Sequence, residues 1–291
     1  MRWQMSRRSE NIEDRRGMGP AMGPGLRVGG IGGLGVLALA LVAMFLGVDP
    51  SIILNGLPGG GVDEPQVTAP SGRTPAADDQ NAHFVSAVLA QTEDTWRDIF
   101  RQGGQTYRDP TLVLFDGAVQ SACGMAGSAT GPFYCPADQK VYLDTSFFRE
   151  LSQKFGAPGD FAAAYVIAHE VGHHVQTLLG ISRQVTDMRQ RSDEATSNRL
   201  SVMMELQADC FAGVWARHIN DTQNMLEQGD VEEGLRAASA VGDDRIQRAT
   251  RGYVVPDAFT HGSSEQRMRW FKQGLQSGDI NSCDTFNAPQ L

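Results

Sequence analysis

The spacing of apolar residues predicts three long helices between residues 83 and 217. Positions with helical spacing run from His83 to Phe100, and a second helical segment runs from Ser192 to Arg217. Between them, Phe161 to Leu179 contains no proline. Asp160 can cap the start of this middle segment and Gly180 can end it. We therefore predict a continuous helix over 161–179.

Shorter elements surround these helices. The apolar runs Thr111–Phe115 and Lys140–Leu143 have the length and β-branched content of strands. They predict a small sheet ahead of the 161–179 helix. Two later segments, 231–252 and 265–275, are predicted to be helices.

The longest apolar run lies near the start of the chain. Val28 to Val48 supplies 21 residues without a charge, which is enough to span a bilayer. Residues 1–27 carry six Arg against three acidic residues, so the positive-inside rule keeps the N-terminus cytoplasmic. A cleaved signal peptide is the alternative, but the run is longer than a usual signal core and no clear small-x-small site follows. We predict an uncleaved, single-pass helix in the inner (cytoplasmic) membrane.

The remainder divides into a tether and one domain. Residues 49–80 are rich in Gly, Pro, Ala and acidic residues and show no apolar periodicity, which indicates a flexible linker. Residues 81–291 suit one domain with a real core, placed in the periplasm or outside the cell. The formal net charge of −9 argues against nucleic-acid partners.

Four cysteines fit a compartment in which disulfides persist. Cys123 and Cys135 bracket a short Gly-rich excursion, which leaves Cys210 to pair with Cys283. Four cysteines allow three pairings, and free buried thiols are the alternative. The cysteines lack closely spaced pairs of the kind that bind zinc, so a second zinc site is not expected.

The run His169-Glu170-Val171-Gly172-His173 within the predicted helix is an HExxH motif. One helical turn separates His169 from His173, so both imidazoles project from one face and can share a tetrahedral Zn²⁺. This arrangement leaves positions for a third protein ligand and a water. Glu170 is then placed to act on that water.

A third ligand is expected because catalytic zinc sites use three protein groups. Glu205, in the next predicted helix, is the best candidate. Asp209 lies one turn further on the same face and could accept the second ring N–H of a zinc-bound histidine. His218, Asp187 and His174 remain possible ligands, although the helical step of about 100° turns His174 away from the metal-facing side.

The HExxH motif followed by Glu205-x-x-x-Asp209 resembles the gluzincin arrangement of metallopeptidases. More closely, the chain resembles the bacterial neutral zinc metallopeptidase family. The resemblance implies a zincin-like α+β domain with a small sheet and an HExxH helix, and it implies peptide hydrolysis. The matching segments span nearly the whole chain: 15–17, 131–136, the HExxHH run, 205–215 and 261–267.

The resemblance also implies roles for residues outside the motif. His261 and Arg267 are similar to the His and Arg that follow the zinc helices in membrane-associated gluzincins. His261 could stabilise the oxyanion, and Arg267 could hold a carboxylate of the site or orient His261. In zincin-like folds an edge strand commonly holds extended substrate, and the segment Tyr134–Leu143 is the candidate here.

These observations predict a membrane-anchored, zinc-dependent peptidase that cleaves peptides or proteins as an endopeptidase. Zn²⁺ would polarise the scissile carbonyl and lower the pKa of its bound water. Glu170 would take the water's proton and pass it to the leaving amine. The alternative is a catalytically silent or latent adaptor of the same fold that binds other envelope proteins. Intact His169, Glu170 and His173 favour the enzyme.

Overall fold

A small mixed sheet and eight α-helices make up residues 1–17 and 78–291, the part of the chain that the computed structural model describes. The expectation of an α+β fold is confirmed. The helices are α1 (Gln80–Gln102), α2 (Phe147–Gln153), α3 (Asp160–Leu178), α4 (Ile181–Arg189), α5 (Glu194–Gln223), α6 (Asp230–Ala240), α7 (Asp243–Arg251) and α8 (Ser264–Ser277).

The sheet has four strands, and two more strands form a separate hairpin. Within the sheet, β2 (Thr111–Phe115) pairs in parallel with β1 (Ile12–Asp14) on one side and with β6 (Lys140–Asp144) on the other. β5 (Phe133–Cys135) runs antiparallel to β6 at the sheet edge. The segment 134–143 therefore contains part of an edge strand and most of an interior strand, so only its first part has a free edge. In chain order the strands are β1 (Ile12–Asp14), β2 (Thr111–Phe115), β3 (Ala118–Ser121), β4 (Gly124–Gly127), β5 (Phe133–Cys135) and β6 (Lys140–Asp144).

The first residues of the chain belong to the same compact unit as residues 78–291. β1 pairs with β2, with Ile12 opposite Leu112, and Nη1 of Arg16 lies 2.6 Å from a carboxylate oxygen of Asp79, which caps α1. The sequence-based prediction placed residues 1–27 in a cytoplasmic segment apart from the domain, whereas residues 12–14 form a strand of the domain's sheet. Paired strands lie about 4.8 Å apart, and a hydrocarbon layer about 30 Å thick cannot separate them.

The predicted membrane span, Val28–Val48, lies outside the described residues, as do residues 49–77 of the predicted tether. Among the residues that are described, no helix is both long and apolar enough to cross a bilayer.

The HExxH helix α3 forms the centre of the core. Every residue from Phe161 to Gln176 is buried except His173. Helices α5 and α6 pack against α3, and α8 packs along α5. The α5–α8 crossing needs glycine on both sides, because a Cβ on Gly274 would lie 1.9 Å from the carbonyl oxygen of Cys210, and one on Gly213 would lie 2.2 Å from that of Phe271. This close crossing brings α8 side chains within reach of the metal-facing side of α5.

The start of α3 differs from the prediction. Asp160 does not cap α3 but is its first residue, and Gly159 precedes it with a φ of 120°. A Cβ on Gly159 would lie 2.1 Å from the carboxyl group of Glu233. Because Gly159 has no side chain, the carboxylate of Glu233 from α6 can accept the N–H of Phe161 at 3.1 Å and cap the N-terminus of α3.

The predicted helix 231–252 is two helices, α6 and α7. The chain is extended at Gly242, whose ψ is 140°. A Cβ there would lie 2.4 Å from the backbone nitrogen of Ser264. Close approach to the start of α8 thus breaks the helix, and the N–H of Asp243 donates to the carbonyl of Gly262 instead of continuing the helix.

The cysteines form the two expected pairs, Cys123–Cys135 and Cys210–Cys283. The Cys123–Cys135 disulfide joins the turn between β3 and β4 to the edge strand β5. The second joins α5 to the turn Ile280–Cys283 after α8. Trp96, Trp215 and Trp270 are buried in the core.

Candidate metal centre

His169 and His173 project from one face of α3 towards α5. Their ring centroids lie 4.8 Å apart and the ring planes are nearly perpendicular. Nε2 of His169 lies 3.2 Å from Oε2 of Glu205, and Nε2 of His173 lies 3.4 Å from Oε1 of the same residue. The structure therefore brings together three of the predicted residues, with one nitrogen or oxygen of each facing a common point.

The close approach of α3 and α5 makes this grouping possible. Gly172 lies between the two histidines and faces Ala208 of α5, where a Cβ would meet backbone atoms at 3.1 and 3.2 Å. Glycine and alanine at this crossing hold the two backbones close together. As a result, the short side chain of Glu205 reaches both imidazoles.

These three residues fit a zinc ion. Their ligand atoms all lie within 4.8 Å of one another. Two ligands bound at about 2.05 Å to a tetrahedral ion lie about 3.3 Å apart, which matches the observed 3.2 and 3.4 Å. Two imidazoles and a carboxylate are a usual donor set for catalytic zinc, and they leave a fourth position for water.

The charges of the cluster also favour a cation. Burial alone would lower the pKa of His169, but Asp209 and Glu205 outweigh it and raise that pKa to about 10. Burial also opposes protonation of His173, yet Glu205 raises its pKa. The two imidazoles hold the pKa of Glu205 well below its usual range despite burial. The site stabilises positive charge at the point that a metal would occupy.

A buried ion pair orients His169. Nδ1 of His169 lies 2.8 Å from Oδ1 of Asp209, so the ring presents Nε2 to the cluster. Arg267, from α8, donates to the same carboxylate from Nε at 2.8 Å and from Nη2 at 2.9 Å. The Tyr165 hydroxyl also donates to Asp209. Arg267 thus holds a carboxylate of the site, which is one of its two predicted roles.

A neutral amide orients His173. Nδ1 of His173 lies 2.8 Å from Oε1 of Gln176. The amide nitrogen of Gln176 donates to the carbonyl of Met204 at 2.7 Å and to Oε1 of Gln207 at 3.1 Å. With its N–H₂ engaged, Gln176 offers only an acceptor, so His173 carries its proton on Nδ1 and leaves Nε2 free for a metal.

Glu170 lies beside the cluster on the wall of a cleft of about 750 Å³. Its carboxylate makes no hydrogen bond or ion pair with any described residue, although the residue is only 8% exposed. Burial raises the pKa of Glu170, which His169 and His173 partly oppose. A carboxylate with a raised pKa and a free acceptor is suited to take a proton from water.

His261 lies on the rim of the same cleft and is oriented by Asp243. Its Nδ1 is 3.2 Å from Oδ1 of Asp243. The other oxygen of Asp243 accepts the backbone N–H groups of Thr260, His261 and Gly262 at 2.6–3.1 Å. Asp243 raises the pKa of His261, and burial opposes it. The surroundings therefore favour the protonated form of His261 at the rim of the cleft.

The comparisons with known proteins agree with this geometry. The family described as "Putative neutral zinc metallopeptidase" matches residues 1–286. The chain belongs to this family.

Its relatives share nearly the whole chain. It is 51% identical over 290 residues to a protein of Escherichia coli K12 named "Uncharacterized protein YpfJ", covering 98% of this chain and 99% of that one. It is 42% identical over 262 residues to "Uncharacterized protein Rv2575" of Mycobacterium tuberculosis H37Rv, covering 86% of each. No solved structure matches the chain.

The other three residues that the sequence offered as zinc ligands lie elsewhere in this metallopeptidase-family chain. Nε2 of His174 is 2.6 Å from the carbonyl oxygen of Arg108, and its Nδ1 is 3.1 Å from the Tyr134 hydroxyl. His218 faces Asp98 at 3.6 Å, and Asp187 is an exposed residue of α4. Within residues 1–17 and 78–291, the potential ligands grouped with His169 are His173 and Glu205.

A second group of potential ligands within those residues has another explanation. Asp160, Asp230 and Glu233 lie close together at the start of α3 and α6. The Met1 amino group lies 2.9 Å from Asp160 and 3.2 Å from Asp230. Glu233 caps α3 as described above. These carboxylates already have protein partners and are not a candidate metal site.

Sequence reasoning missed three residues that hold the site together: Tyr165, Gln176 and Asp243. Two of them carry a local signal, because Tyr165 precedes His169 by four residues and Gln176 follows His173 by three. Both spacings place the side chain on the histidine's face of the helix. Asp243 has no such signal, since it is separated from His261 by 18 residues and by the unpredicted break before α7.

Proposed function

We propose that the chain is a zinc-dependent peptidase in which Glu170 acts as general base. One observation carries the proposal. His169, His173 and Glu205 present ligand atoms at the spacing of a tetrahedral zinc site, directly beside a partner-free carboxylate in a cleft. Membership of the zinc metallopeptidase family supports it.

Each residue of the site would have a distinct role in peptide hydrolysis. Zinc, when bound by His169, His173 and Glu205, would supply a Lewis acid for the scissile carbonyl and a water of lowered pKa. Glu170 would accept a proton from that water. Because its pKa is raised by burial, the resulting carboxylic acid would persist long enough to give the proton to the leaving amine.

The imidazolium of His261 would stabilise the negative charge that develops on the carbonyl oxygen. Its Nδ1 is held by Asp243, and its Nε2 makes no hydrogen bond to any described residue, so this N–H is available to a substrate. A donor fixed before reaction costs little reorganisation as charge develops. Asp243 is then a positioning residue for His261.

The edge strand β5 would hold the substrate in an extended conformation. β5 pairs with β6 on one side only, and Phe133 and Tyr134 line the cleft. A strand with a free edge can bind a peptide by main-chain hydrogen bonds. The hydroxyl of Tyr134 is bound to His174, which fixes the position of β5 relative to the metal helix.

A comparison of variants tests the activity. We would measure zinc content and cleavage of a proteome-derived peptide library for the wild type, Glu170→Gln and Glu205→Ala. Glu232→Gln, an exposed glutamate of α6, is the matched control. We expect one zinc per chain in the wild type, retained zinc without turnover in Glu170→Gln, and lost zinc in Glu205→Ala. Bound zinc with no cleavage by the wild type would instead favour the adaptor.

We further propose that the metal centre lies outside the cytoplasm and that the apolar run Val28–Val48 attaches it to the inner membrane. The two disulfides support an oxidising compartment. Because β1 belongs to the same unit, residues 1–17 would lie on the same side of the membrane as the metal centre. This proposal differs from the expectation of a cytoplasmic N-terminus and a single-pass anchor, because one crossing at Val28–Val48 would place residues 1–17 and 78–291 on opposite sides of the membrane.

Cysteine labelling in intact cells tests the location. Met5 and Met188 are 91% and 51% exposed, and the native cysteines are in disulfides. We would treat cells that carry Met5→Cys or Met188→Cys with a membrane-impermeant maleimide. Labelling of both sites before lysis is expected. Labelling of Met188→Cys alone would show that the two segments lie on opposite sides, and labelling of neither would place the unit in the cytoplasm.

A further inference from the structure

Arg245 differs from the other positively charged side chains of the cleft. Nζ of Lys154 lies 2.7 Å from Glu150, and Arg267 is bound to Asp209. Nη1 of Arg245 lies 3.4 Å from the Ser239 hydroxyl, and no carboxylate of the described residues lies within ion-pair distance of it. Its guanidinium therefore faces the cleft with most of its donors unused.

The acidic residues nearest in sequence cannot supply a partner. Asp243 accepts three backbone N–H groups and holds His261. Asp244 accepts both the backbone N–H and the hydroxyl of Ser264, at 2.7 and 2.8 Å. Turning either carboxylate towards Arg245 would release the loop at His261 or the start of α8. The fold thus keeps Arg245 free of an internal salt bridge.

The position of Arg245 on α7 directs it to the cleft. Arg245, Ile246, Ala249 and Thr250 all line the cleft, and their spacing places them on one face of the helix. Arg248 lies on the same helix and is also exposed, but it does not line the cleft. Arg245 is itself exposed, so its donors are accessible to a ligand in the cleft.

The surroundings would strengthen the attraction for an anion. The wall of the cleft also includes the apolar side chains of Phe133, Phe147 and Phe155. A bound peptide would displace water from this wall, and an ionic hydrogen bond is worth more where water is excluded. The guanidinium fork matches the two oxygens of a carboxylate. The chemistry that Arg245 recognises is therefore a carboxylate beside apolar groups.

We infer that Arg245 binds a carboxylate of the peptide, so that the site selects substrates with an acidic side chain or a free C-terminal carboxylate near the scissile bond. This inference rests on the proposed peptidase function. Arg245 would determine specificity, whereas the residues around the metal would perform the reaction.

Paired peptides test the inference. From peptides cleaved by the full chain we would synthesise versions with Glu or Gln at each position, and with a C-terminal acid or amide. We expect Arg245→Ala to lower kcat/KM about tenfold for carboxylate peptides and to leave the neutral versions unchanged, since an ionic hydrogen bond is lost only in the first set. Loss confined to the C-terminal acid would identify a carboxypeptidase, and loss confined to Glu an acidic side-chain preference.

Two further variants keep the result specific. Arg248→Ala, on the outer side of the same helix, should behave as wild type. Arg245→Glu should now favour Lys over Glu at the selected position, because the sign of the charge has changed. Equal ratios of carboxylate to neutral substrate in wild type, Arg245→Ala and Arg245→Glu would overturn the inference.

Binding separates failure of the inference from failure of the peptidase function. A fixed set of random-sequence peptides in Glu/Gln and C-terminal acid/amide pairs, labelled with a fluorophore, would be titrated against the full-length Glu170→Gln protein with and without Arg245→Ala. Weaker binding of carboxylate peptides alone in the double variant would support Arg245 even if the wild type cleaved nothing. Peptide cleavage without any dependence on Arg245 would leave the peptidase function standing and overturn this inference.

Discussion

The chain contains two carboxylate–histidine pairs that face one cleft from different environments. Asp209 holds Nδ1 of His169 in the buried floor, and Asp243 holds Nδ1 of His261 at the rim. Asp209 is fully buried and needs Arg267 to balance its charge. Asp243 is stabilised by backbone N–H groups, and the His261 side chain is 53% exposed. The same pair can therefore serve two purposes.

Burial decides which purpose each pair serves. In the floor, Asp209 fixes the orientation of a ring whose Nε2 faces Glu205, so the pair directs this nitrogen to the position that a metal would occupy. At the rim, Asp243 raises the pKa of His261 and leaves an N–H directed to the cleft, so the pair prepares a cation. His173 shows that orientation alone needs no charge, since Gln176 fixes it with a neutral amide.

The largest effect on stability should come from removing the buried carboxylate of Asp209. Asp209→Ala leaves Arg267 buried without its partner, and removing one member of a buried ion pair costs about 3–5 kcal/mol. We expect a loss of this size in the free energy of unfolding, measured by urea denaturation. Glu232→Ala, at an exposed acid, should cost little.

A double variant separates stability from metal binding. Asp209→Leu with Arg267→Met removes both charges and should recover most of the lost stability. It should still bind zinc about 10–100-fold more weakly than wild type, because His169 has lost the group that orients it. Wild-type zinc affinity in the double variant would show that Asp209 serves stability alone.

These residues also show what the sequence could and could not predict. His169, Glu170 and His173 were predicted as one group and Glu205 and Asp209 as another, because the members of each group lie one residue or one helical turn apart; the second group was joined to the first because it follows the HExxH motif in the sequence. Such relations are fixed by helix geometry before any tertiary contact forms. The cysteine pairs were predicted for a similar reason, since one short loop left only one other pair.

What was missed depends on contacts distant in sequence. The pairing of β1 with β2 joins Ile12 to Leu112, and the arginine-rich composition around it suggested a membrane flank instead. The break at Gly242 depends on its packing against Ser264, which periodicity within 231–252 does not reveal. Asp243 was missed because the break at Gly242 is what places its side chain beside His261.

Substitution of His261 at the rim should change the rate of peptide cleavage rather than the stability of the fold. His261→Gln removes the cation that we place near the developing oxyanion. Loss of one such donor costs about 100- to 1,000-fold in kcat, and we expect a change in this range with little change in zinc content. The urea midpoint should stay close to wild type, because the side chain is exposed. Unaltered kcat with a raised KM would show that His261 binds substrate only.

The neutral amide should have a smaller effect than the buried ion pair. Gln176→Ala leaves His173 without its acceptor but creates no unpaired charge. We expect about tenfold weaker zinc binding and a stability loss of about 1–2 kcal/mol, because the carbonyl of Met204 and Gln207 lose a partner. Gln184→Ala, at an exposed position of α4, is the control. A loss as large as that of Asp209→Ala would mean that charge is not what distinguishes the two histidines.

The subtlest change should be in the pH profile. Asp243 is the largest cause of the raised pKa of His261, and burial and Arg267 oppose it while Glu205 adds to it. A role that needs the imidazolium is filled below this raised pKa and lost as pH rises through it. Asp243→Asn removes the carboxylate charge but retains oxygen for the backbone N–H groups. The alkaline limb of kcat/KM should therefore move to lower pH. The His261→Gln variant should show no alkaline limb. If the alkaline limb stays at the same pH in Asp243→Asn, the titrating group is not His261.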